Sequence, residues 1–178
     1  MKKEKEDYRR PVIRDALVSH LARLANMQDF IVSQRTEASL FTIPDSKVRR
    51  TLLAILMDSR EHYTLLLQTV PGLEQLREKH RGSFLQILPI KLGETEEEIL
   101  INQLSVQKSL EISLELVLKF LDILREGEIE KDGVVVITHR LRRIVRIILR
   151  RQRENIRTLE KALKLYRESH IRAEVYQP

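Results

Sequence analysis

Ser59 and His62 interrupt one helical stripe of apolar residues, and Gln152 and Asn155 interrupt another at matching places. Residues three apart share a helix face, so the two members of each pair point the same way. The chemistry open to them is narrow. His62 is a good metal ligand, whereas Ser, Gln and Asn are weak neutral donors suited to hydrogen bonding. Burying such groups without partners costs about 1–3 kcal/mol each, so the pairs must partner each other or serve a purpose. Other candidates are weaker. His80 and His139 fall in or beside expected loops and His170 in the tail, none with a second His at ligand spacing. With no cysteine in the chain, thiolate metal sites and disulfides are excluded. No Gly-rich phosphate loop occurs. Glu61 and Glu154 flank the polar pairs by one position and read as boundary carboxylates paired with Arg60 or Arg153.

The elements that carry these residues are written twice. Arg49 to Leu66 aligns without gaps on Arg142 to Leu159 at a constant offset of 93, and seven of the eighteen pairs are identical. The inner stripe of the first copy is Val48, Leu52, Ile55, Ser59, His62, Leu66, Thr69; that of the second is Leu141, Val145, Ile148, Gln152, Asn155, Leu159, Ala162. The chain has 178 residues, few Gly and Pro, and many Leu, Ile, Arg, Lys and Glu. It therefore reads as one all-α domain over 1–178, with a charged tail at 1–10 and another at 171–178. Four helices are expected near 11–36, 46–70, 95–126 and 135–169. Pro11 is placed in the first turn of helix one, whose stripe is Ile13, Leu17, His20, Leu24, Met27, Ile31. Asp45 or Ser46 caps helix two, and Thr95 with Glu98 forms a capping box for helix three. That third helix is apolar on more than one face, Ile112 and Leu116 lying beside the main stripe, and is expected to be packed on several sides. A turn at Lys131-Asp132-Gly133 precedes helix four. The connector from Pro71 to Glu94 is long, with a short helix in Leu73 to Lys79. Short loop, long crossover, short loop describes two helical hairpins related by a pseudo-two-fold axis.

With that topology, DSREHYTLLLQ and QRENIRTLEKAL resemble the second and fourth helices of the ferritin-like superfamily, rubrerythrins in particular. The resemblance implies a ferritin-like four-helix bundle with Glu-x-x-His on these two helices and one Glu on each of the others, holding two metal ions. This chain has Ser59-x-x-His62 and Gln152-x-x-Asn155, so three of those four ligands are missing. The family spacing on helix one falls near Asn26, and helix three offers Glu111 or Glu115. The reading favoured is a neutral, metal-free polar layer of Ser59, His62, Gln152 and Asn155, because a di-iron centre needs bridging carboxylates. The alternative is a single zinc or iron ion on His20, His62 and Glu111. The expected function is correspondingly non-enzymatic, structural or interactive, with self-association through a helical face. A redox or iron-handling protein with an unusual ligand set is the alternative.

Charge is segregated along the chain. Glu94 to Asp132 holds eleven acidic and four basic residues, whereas His139 to Arg157 holds eight arginines and one acid. Arg142, Arg143, Arg146, Arg150, Arg153 and Arg157 are candidate phosphate contacts for a nucleic acid. The competing expectation, and the favoured one, is pairing with the acidic helix. Charged residues make up 33% of the chain, and with no Cys or Trp and three Asn the composition is thermophile-like. No secretory signal or spanning segment is read, so a cytoplasmic protein without membrane contact is expected.

Overall fold

A computed structural model describes the backbone of residues 2–33, 40–41, 43–85, 95–125 and 127–175, and the side chains of 10–33, 40–41, 43–79, 95–125 and 127–171. Helices dominate: α1 (Lys2–Ile31), α2 (Ser46–Thr69), α3 (Leu73–Leu85), α4 (Glu96–Leu124) and α5 (Thr138–Val175). Between α4 and α5 lies an antiparallel hairpin of β1 (Glu128–Lys131) and β2 (Val134–Ile137).

Local chemistry sets the helix starts. The Asp45 carboxylate accepts from the backbone N–H of Lys47 and Val48 at 2.6 and 3.1 Å, and these bonds hold its pKa below the ordinary value. Thr95 and Glu98 form the expected reciprocal capping box at the head of α4. Pro11, expected in a first turn, instead lies inside α1, which begins at Lys2. The Lys/Glu-rich stretch before it favours helix, and an internal proline removes one hydrogen bond without ending the helix. After Ile31 comes a turn at Val32-Ser33; the expected continuation toward 36 lies outside the described residues. At the other end α5 runs past Ser169 to Val175.

The start of the last helix also differs from expectation. Val134 to Ile137 is a strand rather than the first turn of helix four. Asp132 and Gly133 both have positive φ, 52° and 77°, which makes the two-residue mirror-image turn that hairpins prefer. Ile129, Val134 and Val136 are buried, so the hairpin plugs this end of the bundle.

Within the bundle, α1 packs on α2 and α4, α5 packs on the same two helices, and α3 lies along α1. The contacts fix direction. Asp122–Arg142, Glu111–Arg153 and Glu97–Arg167 pair rising numbers on α4 with falling ones on reading α5 backward, so these helices are antiparallel. The Asp45 N–H at the head of α2 donates to Glu96 Oε1 at the head of α4 at 2.7 Å. So α2 and α4 start at the same end and run the same way. Two helical hairpins, α1–α2 and α4–α5, are thus joined by a connection that returns along the bundle through α3.

That connection is tied down at its start. Val135 N–H donates to Pro71 O at 3.0 Å, and a Cβ on Gly72 would sit 1.9 Å from Gly133 O. Further on, buried Arg77 of α3 pairs with Asp29 of α1 at 2.5 Å and lies 5.7 Å from the Tyr63 ring centre. Both repeat stripes face the core as read: Val48, Leu52, Ile55 and Leu66, and likewise Leu141, Val145, Ile148 and Leu159, are buried. Ile112, expected to be packed, is instead 59% exposed on the outer side of α4, since α1 and α5 cover its other faces. No helix among the described residues is long and apolar enough to cross a membrane.

Candidate functional site

The four polar residues of the repeat stripes all face the interior of the bundle, on neighbouring stretches of α2 and α5. Ser59, His62 and Gln152 are fully buried and Asn155 nearly so. Contacts beside them place these stretches: Glu61 of α2 pairs with Arg151 of α5 at 2.6 Å, and Tyr63 of α2 bonds Asp29 of α1. Gln152 Nε2 donates to the side-chain Oε1 and the backbone O of Gln107 on α4, at 2.6 and 2.8 Å. Gln28, beside Asp29, is fully buried on α1. Neutral polar side chains are thus buried on each of the four long helices, and those of α4 and α5 are in direct contact.

Sequence reasoning missed the contributions of α1 and α4. Gln107 was accessible to it, because the α4 stripe Leu110, Leu114, Val117, Leu121 extends backward by three and four residues to Gln107 and Gln103, and all six are buried. Gln28 carried a fainter signal. It lies one residue beyond Met27 of the expected stripe and continues Leu17, Leu21 and Leu24, all fully buried, at four- and three-residue spacing on one face of α1.

The layer is incompletely partnered by the protein itself. Both amide atoms of Gln28, Ser59 Oγ, both His62 nitrogens, Gln107 Nε2, Gln152 Oε1 and Asn155 Nδ2 are buried without a protein hydrogen-bond partner. Burial lowers the His62 pKa, opposed by Asp58 and assisted by Arg151, so the ring is held neutral at pH 7. The set can hydrogen-bond a small neutral group. It contains no carboxylate, its one basic group is the His62 imidazole, and Gln152 is already committed to Gln107.

The remaining candidates are scattered. His20 packs edge-on against Phe120, with ring centres 5.4 Å apart, and burial lowers its pKa. Glu111 is bound to Arg153 at 2.8 Å on the α4–α5 seam, nine residues or about 13 Å along the helix from Phe120. His20, His62 and Glu111 are thus not brought together, and among the described residues no three His, Cys, Asp or Glu side chains are placed to hold a metal ion. Glu115 also bonds Arg153, at 2.7 Å. Asn26 faces α3 and donates to Ala22 O and Arg77 O. Glu61 of α2 pairs with Arg151 of α5, and Glu154 with Arg150 at 3.5 Å, while Arg153, an expected partner, holds Glu111 and Glu115 instead.

The six candidate arginines divide into two groups. Arg142 pairs with Asp122 and donates to Leu121 O, while Arg153 holds Glu111 and Glu115, so these two belong to the α4–α5 seam. Arg143, Arg146, Arg150 and Arg157 are exposed on the outer side of α5. No known family model, curated protein or solved structure matches this chain.

Proposed function

We propose that this chain is a ferritin-like four-helix bundle whose polar layer is structural, and that it works as a non-enzymatic interaction protein. The observation that carries the reading is the Gln152–Gln107 contact at 2.6 Å. In ferritin-like di-metal bundles the inward positions of all four helices supply carboxylates or imidazoles. Here the repeat positions carry Ser59 with His62 and Gln152 with Asn155, and Gln107 meets Gln152, so a single imidazole is the strong donor among them. Amides hydrogen-bonded to one another cannot neutralise a pair of ferrous ions. The parallel course of α2 and α4 and the 93-residue repeat support the family resemblance in topology.

Self-association belongs to the same reading. Ile101, Ile112 and Ile123 are exposed at eleven-residue intervals, three turns apart, along the outer side of α4. Sedimentation of the protein and of Ile112→Glu tests that part: a dimer dissociated by the variant is expected, and an unaltered state contradicts this choice of face.

The test of the functional reading is a ferroxidase and peroxidase assay on protein incubated with ferrous iron. Rates at the level of free iron are expected. Turnover above that level, abolished by His62→Ala with the fold intact, would overturn the reading.

A further inference from the structure

We infer that the outward side of α5 is a ridge that binds the phosphate backbone of duplex nucleic acid without reading its sequence. Arg143, Arg146, Arg150, Arg157, Lys161 and Lys164 follow one another at intervals of three, four or seven residues, all exposed and half a helical turn from the buried stripe. They form one line about 31 Å long. Like charges at such spacing repel one another and disfavour the helix, so the line works against local stability.

The fold does not neutralise that line. Arginines that face the neighbouring helices are each matched: Arg142 with Asp122, Arg151 with Glu61, Arg153 with Glu111 and Glu115, and Arg167 with Glu97. The acids of α4 are thereby used on the seam. Among the described residues Arg143, Arg146, Arg157 and Lys161 have no ion pair. Arg150 and Lys164 reach Glu154 and Glu168 of their own helix at 3.5 and 3.9 Å, yet their side chains stay 85% and 77% exposed. Two open depressions of about 660 and 450 Å³ adjoin at Arg146; the first is also lined by Arg125, Arg142 and Asp122, the second by Leu149, Arg150, Arg153, Arg157 and Glu154, so arginines outnumber acids in each.

A line of four guanidinium and two ammonium groups over three nanometres suits a row of phosphates, which the guanidinium groups can grip through two parallel hydrogen bonds. Base stacking is not provided for, since the ridge carries no aromatic side chain and Tyr166 is stacked on His170. Contact with the backbone and indifference to sequence follow. The ridge lies on the opposite side of α5 from Gln152 and Asn155, so the inference is independent of how the polar layer is read.

The experiment is a fluorescence titration of the full chain against a labelled 30-base-pair DNA duplex of random sequence, from 50 to 200 mM salt. Saturable binding is expected, with log K falling against log salt at a slope of about −5 for six contacts. Arg146→Gln/Arg150→Gln/Arg157→Gln should bind at least tenfold more weakly at 50 mM salt, reduce the slope by about 3, and melt within a few degrees of the parent. Arg146→Gln and Arg157→Gln singly, with unchanged circular dichroism, should each reduce the slope by about 1, which covers failure of the triple variant to fold. No saturable binding at 50 mM salt, or equal binding by the variants, would overturn the proposal. So would binding to polyglutamate as tight as to the duplex, which would assign the ridge to an acidic protein.

Discussion

His62 meets three charged groups, Asp58, Glu61 and Arg151, but burial dominates and its folded pKa lies below the ordinary value. The unfolded chain, with an ordinary histidine near 6.5, therefore binds protons that the folded one refuses. Stability from this residue is complete above about pH 6.5 and is lost as pH falls below it toward the depressed folded value. His20 adds a second contribution of the same sign, from burial and from Arg23. We expect the thermal midpoint to fall between pH 7 and pH 5, and His62→Leu to flatten that fall more than His20→Gln does. A slope unaltered by His62→Leu would show that the ring takes up its proton equally in the folded and unfolded chain, contrary to this account. Gln152→Ala would strand Gln107 Oε1 and open a void, costing about 1–3 kcal/mol in chemical denaturation. At this scale the sequence was half legible. Polar residues at fixed places in two repeated stripes revealed the contributions of α2 and α5. Gln107 lay on a stripe that was simply not extended far enough, and Gln28 likewise continues the buried run Leu17, Leu21, Leu24 of α1, one residue away from the stripe that was followed.

Among the elements, capping chemistry was readable because it is local. Asp45 and the Thr95/Glu98 box bond within three residues of themselves, and both helices start where those residues stand. The hairpin was misread because the β-branched run Val134 to Ile137 directly precedes a helix and its inward positions suit either element; Asp132-Gly133 was the signal that decides it. Its role is visible only in three dimensions. It caps the bundle and receives the turn after α2, where Gly72 has φ +82° and passes close to Gly133 O. Gly72→Ala should therefore destabilise the protein by at least about 2 kcal/mol, from backbone strain together with steric overlap. A loss below about 0.5 kcal/mol, the scale of a harmless surface change, would mean that this approach relaxes freely. Arg142 acts at the same corner, donating to the Leu121 carbonyl at 2.7 Å where α4 ends. Its repeat counterpart Arg49 likewise donates to Ile43 O, at 3.1 Å. Identity at both leading arginines of the repeat thus reflects backbone carbonyls to be satisfied. Arg142→Ala should cost about 1.5–3 kcal/mol, read from the denaturation midpoint.

For the molecule as a whole, the direction of α2 relative to α4 is the decisive feature. Two parallel helices that begin at one end require the chain to return along the bundle between them, and a long connector with its own helix does this. The length of the segment from Pro71 to Glu94 made that topology legible, and the charge segregation was legible as well. What it meant was not, because pairing depends on which face each arginine occupies. The seam neutralises Arg142, Arg151, Arg153 and Arg167, and the outer ridge is left charged. The central claim is the proposal for the interior, a neutral hydrogen-bonding layer rather than a di-metal site at Ser59, His62, Gln152 and Asn155. Elemental analysis tests it most directly, on protein loaded with ferrous iron or manganese and then passed through a desalting column. Far less than one ion per chain is the result this account predicts. Two ions per chain, retained by the parent and lost in His62→Ala, would contradict it.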